Sequence, residues 1–217
     1  MNVLFVKLGV DLCGGFAMNS VKRSRTNNPE VLKQRVVDAA FQAFTTKGFN
    51  ATGIQDLIRA VGVSGGAYSH HFPSKKDLAL AVIATAIKDA VDKSWVNPVM
   101  AADSTKQGVT VVFRKIIESL DRAGTISGCP LNNLVLELST QDSDLRAALN
   151  TVFSHWHREL AKKIQHDQTR GMLKHLRADE AATFIIATYS GAMAMAKASR
   201  STSPLRICSK QLTSYLS

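Results

Sequence analysis

Residues 52–72 read TGIQDLIRAVGVSGGAYSHHF, and this stretch decides the fold. Thr52 is placed as an N-cap, with Ile54, Leu57 and Ile58 on the inward face of a short helix. Gly62 ends that helix, and Ser64 caps a second one that runs to about His71. Ile54, Leu57, Ile58, Val61, Val63 and Ala67 lock the two together. Two short helices joined at a glycine turn form a helix-turn-helix, whose second helix enters the major groove of DNA. The plainer reading is a hairpin buried in a larger bundle. Gly65-Gly66 and His70-His71 argue against it, because they make a poor buried helix.

The second helix has the composition of a reading surface. Gly65 and Gly66 let the backbone approach phosphates, and Tyr68, Ser69, His70 and His71 put hydrogen-bonding groups within one turn. Tyr68 and His70 are expected to read bases, and Gln55 reaches a base or a phosphate from the preceding helix. Thr52, Ser69, His71 and Lys75 are expected to hold the DNA backbone, with Ser64 and Gly65 completing the set. A basic arm, Lys22, Arg23 and Arg25, precedes the first helix and suits the backbone or the minor groove.

Outward from this stretch, helical periodicity dominates. Pro29 and Glu30 open a helix that runs to about Lys47, and Gly48 stops it. Ser74 caps a long helix from Lys75 to about Ser94, closed by Asn97-Pro98. Further helices are expected at about 104–123, 130–139, 142–166, 178–200 and 204–216. The chain therefore reads as all-α: a three-helix N-terminal unit and a larger bundle behind it. The expected domains are a disordered tail at 1–28, basic from 22, a helix-turn-helix DNA-binding unit at 29–74, and a ligand-binding and dimerisation unit at 75–217.

The 217 residues carry a formal net charge of +10, which suits a polyanionic partner. Three cysteines, Cys13, Cys129 and Cys208, lie too far apart for a disulfide framework, and a reducing cytoplasmic location is the expectation. Residues 1–17 read as a loose tail, because Lys7 and Asp11 interrupt the apolar run that a signal peptide needs. No apolar run approaches the roughly 20 residues of a membrane span. No cofactor or metal is expected. His155 and Glu159 share a helix face, but no third ligand is in view.

The run Gly48-Phe49, Ala51-Thr52-Gly53-Ile54, Ala60-Val61-Gly62-Val63-Ser64, Gly66, His71-Phe72 and Ser74-Lys75-Lys76-Asp77-Leu78 resembles the TetR/AcrR family of one-component transcriptional regulators. The resemblance covers about residues 30–95. The family usually has Tyr two places before the His of its His-Phe pair. This sequence has Ser69 there, and its ring one position earlier, at Tyr68. The resemblance implies nine helices, an Ω-shaped homodimer, a palindromic double-stranded DNA operator and a small-molecule inducer. Gly124–Ser139 and Met193–Ser201 resemble, more weakly, the branch with a Gly-Cys-Pro segment, in which some members sense electrophiles or oxidants through that cysteine; here it is Cys129.

The expected ligand cavity is lined by Trp95, Phe113, Ile117, Cys129, Asn133, Phe153, Trp156 and Tyr189. For each of these, simple core packing is the alternative. Lys197 is expected to approach Cys129, because an ammonium beside a thiol favours the thiolate; a buried, inert Cys129 is the competing expectation. Small residues from Ala182 to Ala196 suit close helix approach across a dimer. Two other classes stand beside the repressor reading. One is a helical enzyme with Cys129 as nucleophile, which lacks a Cys/His arrangement with a supporting third group. The other is an interaction module with no DNA role.

Overall fold

The computed structural model describes residues 28–217; the arm residues Arg23 and Arg25, the tail and Cys13 lie outside the described residues. Asn28 caps α1 (Pro29–Thr46) by accepting a hydrogen bond from the Glu30 amide, and Pro29 occupies the first turn, where no N–H is needed. Its buried face is Val36, Val37, Ala40, Phe41 and Phe44. Gly48, at φ +95°, turns the chain away.

The cap of α2 (Ile54–Val61) is Gly53, which makes no side-chain cap bond. The expectation for Thr52 is corrected here. Thr52 is buried, and its hydroxyl donates to the Gly48 carbonyl at 2.7 Å, so it stitches the turn instead of capping the helix. Gly62 ends α2 in the left-handed conformation at φ +71°. The Arg35 guanidinium, from α1, donates to the Val61 carbonyl at 2.7 Å and so satisfies an end carbonyl of α2. Ser64 caps α3 (Gly65–His71) by accepting from the Ala67 amide.

Ser74 caps the next helix through the Asp77 amide. We label α4 the unbroken succession Lys75–Val82, Ile83–Ile87, Lys88–Val91, Asp92–Val96 and Asn97–Ala101, of which the second and fourth are π-helical. It therefore passes through Asn97-Pro98 instead of stopping near Ser94 as the sequence suggested. The π turn just before Pro98 resets the hydrogen-bond ladder, and Pro98 enters as a first-turn residue whose missing N–H costs nothing.

Then come α5 (Thr105–Ala123), α6 (Pro130–Leu138), α7 (Ser143–Thr169), α8 (Ala178–Ser199) and α9 (Ser203–Tyr215). Ser104 caps α5, and Gly124 closes it at φ +65°. Counting α4 once, nine helices and no strand make up the described residues, as the all-α reading expected.

The described chain forms two compact units. One holds the described residues up to Lys93 together with Pro130–Glu159; the other holds Ser94–Cys129 and Leu160–Ser217. In the first, α1 packs against α2, α3, α4 and α6. In the second, α5 packs against α9 and the end of α4, and α8 packs against α9. Gly108 lets α5 approach the end of α4: a Cβ there would lie 2.8 Å from the Val99 Cα.

The second unit also has a polar clamp. On one face of α7, Lys163 donates to the Ala102 carbonyl at 2.5 Å and Asp167 accepts from the Thr105 amide at 2.5 Å. Arg170 donates to the Asp103 carbonyl at 2.6 Å. The turn before α5 is thus held by side chains one and two helical turns apart.

Candidate nucleic-acid interface

The helix-turn-helix is presented by α2 and α3. Gln55, Ser64, Gly65, Gly66, Ser69 and His70 are exposed, and His71 is half-buried. The His70 and His71 rings meet edge to face at 5.3 Å between centroids. Glycine is unexpected at 65 and 66 on internal grounds, since a Cβ at either position would meet nothing of this chain within 4 Å. Two residues of poor helix propensity therefore open α3 with bare, exposed backbone.

Tyr68 is the main correction. The sequence placed it among the base readers, but its side chain is 3% exposed and lies against Phe72, ring centroids 6.0 Å apart. Its hydroxyl is buried without a hydrogen-bond partner. Burial, with a smaller contribution from the nearby Asp77 carboxylate, raises the phenol pKa. On a seven-residue helix with Ala67 as its other sizeable apolar residue, Tyr68 is the side chain large enough to fill the space beneath α3. Ser69, one position later, points outward in its place.

Lys75 is half-buried. Its ammonium stands 4.3 Å above the Phe49 ring centroid and 3.5 Å from the Asn50 carbonyl oxygen. Burial lowers its pKa, while the Glu137 carboxylate acts in the opposite sense.

Profiles of known families match both parts of the chain. One described as "Bacterial regulatory proteins, tetR family" matches residues 36–82. A second, described as "Transcriptional regulator LmrA/YxaF-like, C-terminal domain", matches residues 105–211. The chain belongs to the TetR family of transcriptional regulators. Among curated relatives, the HTH-type transcriptional repressor DhaR of Mycobacterium sp. (strain GP1) is 28% identical over 182 residues, 80% of this chain and 86% of that protein. The HTH-type transcriptional regulator LmrA of Bacillus subtilis (strain 168) is 21% identical over 173 residues, 80% of this chain and 90% of that one. Among solved structures, a TetR transcriptional regulator from Chloroflexus aurantiacus J-10-FL superposes with TM-score 0.75 at 27% identity, over 86% of this chain and 94% of that one. The reduced form of Escherichia coli NemR superposes with TM-score 0.77 at 20% identity, over 84% and 95%, and shows the shared fold.

In this TetR-family chain the residues expected to line a ligand cavity fall in both units. Trp95, Phe113, Ile117, Cys129 and Tyr189 belong to the unit of Ser94–Cys129 and Leu160–Ser217; Asn133, Phe153 and Trp156 belong to the other. Trp95, Phe113 and Tyr189 form a buried cluster of edge-to-face rings, with centroid distances of 5.7, 4.7 and 5.9 Å. In the other unit Phe153 stacks on Trp156 at 6.3 Å. Cys129 is 7% exposed, follows Gly128 at φ +94° and directly precedes Pro130 of α6. Lys197 lies on the exposed side of α8. Neither Cys129 nor Cys208 is in a disulfide.

Sequence reasoning missed the role of His155. Its Nε2 lies 2.6 Å from an Asp92 carboxylate oxygen, and the other oxygen of Asp92 accepts from Lys88 at 2.5 Å. Among the described residues no group of three or more His, Cys, Asp or Glu is arranged to hold a metal ion. None of their helices is long and apolar enough to cross a membrane.

Proposed function

We propose that this chain is a ligand-responsive transcriptional repressor that binds a palindromic double-stranded operator as a homodimer and leaves it when a small molecule binds. The observation that carries the DNA reading is the outer face of α3. Bare backbone at Gly65-Gly66 leads into exposed Ser69 and His70, and Gln55 is exposed on α2. His70 reads a base edge. Ser64, Gly65, Ser69, His71 and Lys75 hold phosphates, and Arg23 and Arg25 belong to an arm that adds backbone or minor-groove contacts. In this reading residues 29–74 form the DNA-binding domain, and residues 75–217 serve ligand binding and dimerisation.

The ligand half of the proposal is supported by the aromatic cluster of Trp95, Phe113 and Tyr189, an apolar wall suited to a small organic molecule. A thiol signal through Cys129 is a second arm. Its place directly before α6 favours it, and its burial requires the reagent to be small. If Cys129 is the sensor, mild oxidant or a maleimide releases DNA from wild type but not from Cys129→Ser; equal behaviour of the two leaves the reversible ligand.

The DNA reading is tested by selecting binding sites from a random duplex library and titrating the selected and random duplexes over a range of salt. Saturable binding with two chains per selected site is expected. His70→Ala should lose roughly 1–3 kcal/mol of discrimination between sites. Lys75→Ala should weaken both duplexes alike and reduce the salt slope by about one. Equal wild-type affinity for selected and random DNA would overturn the proposal.

A further inference from the structure

Glu137, in the first unit, has no part in the reading above, yet it holds a polar junction. The Glu137 carboxylate, on α6, accepts hydrogen bonds from two successive backbone amides of the turn after α1: Phe49 at 2.9 Å and Asn50 at 2.6 Å. The fit is close, since a Cβ on Gly48 would lie 3.1 Å from a Glu137 carboxylate oxygen. Gln141 accepts from the Asn50 side-chain amide at 3.2 Å. The Lys75 ammonium covers the Phe49 ring of the same turn. Lys76 adds ion pairs to Asp142 at 2.8 Å and Asp144 at 2.7 Å, just beyond α6. The turn is thus contacted by a carboxylate from α6 and by the cation that opens α4.

From this arrangement we infer that Glu137 is a positioning residue for operator reading. It is placed on no DNA contact itself, although its carboxylate acts electrostatically on Lys75. It fixes the Gly48–Asn50 turn, from which α2 and then α3 depart, and so sets where the reading helix stands. A carboxylate suits this task because both N–H groups point at it, and a charged acceptor strengthens each bond. Without it these two donors lose their shared partner, and the turn can sample other orientations. The inference rests on the reading that α3 contacts DNA.

The test compares wild type, Glu137→Ala and Glu137→Gln in amide hydrogen exchange and in titrations of the selected operator and random duplex. In Glu137→Ala the Phe49 and Asn50 amides should exchange at least about tenfold faster, with Val37 and Phe41 in α1 unchanged. Operator affinity should fall by about tenfold with the salt slope unaltered, because no phosphate contact has gone. Random-duplex affinity should hold or rise, since a negative charge is removed. Glu137→Gln, whose amide oxygen replaces one acceptor, should fall between wild type and Ala, although its charge change is the same.

Unchanged exchange at Phe49 and Asn50 in both variants would overturn the inference, whatever the DNA result. So would fast exchange there with operator affinity within twofold of wild type. Loss of protection in α1 as well, in both variants, would show a general structural role and overturn it too. A wild-type chain that discriminates no duplex overturns the functional reading itself, and that outcome is visible before any variant is made.

Discussion

At the scale of single residues, α3 shows two opposite demands. Tyr68 serves the fold: its ring is buried beside Phe72, and its hydroxyl has no partner. Removing an unsatisfied buried hydroxyl relieves its desolvation, so Tyr68→Phe should gain about 1 kcal/mol in urea or thermal unfolding. Operator affinity should stay the same. A loss of site discrimination in Tyr68→Phe would show that the hydroxyl turns outward on DNA. Gly66 serves the surface. Nothing of this chain fills the space a Cβ would take, and the position is helical and exposed. Gly66→Ala should therefore stabilise the fold by roughly 0.5–1 kcal/mol while weakening operator binding. A variant that is more stable and binds equally well would show that no phosphate approaches there.

At the scale of elements, α4 and α7 are tied within the first unit by Lys88, Asp92 and His155. Burial alone would raise the Asp92 pKa. The hydrogen bonds from Lys88 and His155, with their charges, outweigh it and hold the carboxyl below the usual aspartate range. A carboxyl depressed in the folded state contributes stability that is complete above its unfolded pKa and disappears as pH falls through its folded pKa. The melting temperature of wild type should thus fall below about pH 4, and that of Asp92→Asn should fall less steeply over the same range. Parallel profiles would show that the pair contributes no pH-dependent stability. The same elements explain a limit of the sequence reading. Asn97-Pro98 looked like a stop, yet the π turn Asp92–Val96 lets α4 continue to Ala101. A π turn depends on which carbonyl each amide reaches, and that has no residue signature here.

At the scale of the whole molecule, the outer face of α8 and α9 bears on assembly. Phe184 is 47% exposed, Met195 62% and Ile207 60%, and a Cβ at Gly191 would meet nothing within 4 Å. Large exposed apolar side chains beside small exposed ones on one helix suit close approach of a second copy. Met195→Glu should convert the proposed dimer to a monomer in sedimentation at micromolar concentration. Because two heads on one palindrome act with a high effective concentration, the same change should weaken operator binding by a factor of about 10² or more. An unchanged sedimentation coefficient would place the dimer contact elsewhere.

The sequence by itself determined the helical class, nearly all helix boundaries and the helix-turn-helix. These follow from local chemistry: Ser64 and Ser74 cap the helices they were assigned, and Gly62 ends its helix at positive φ. The apolar residues Val36, Val37, Ala40, Phe41 and Phe44, at helical spacing, likewise form the buried face of α1. The tertiary structure decided which polar-looking side chains serve the interior. Tyr68 and Thr52 sit in a stretch that reads as DNA-facing, but on helices this short a shift of one position moves a side chain by about 100°. Only the packing under α3 shows where the ring goes. Likewise Glu137 was one acidic residue in an apolar run. Its partners are backbone amides at Phe49 and Asn50, far away along the chain, and a backbone amide leaves no mark in a sequence.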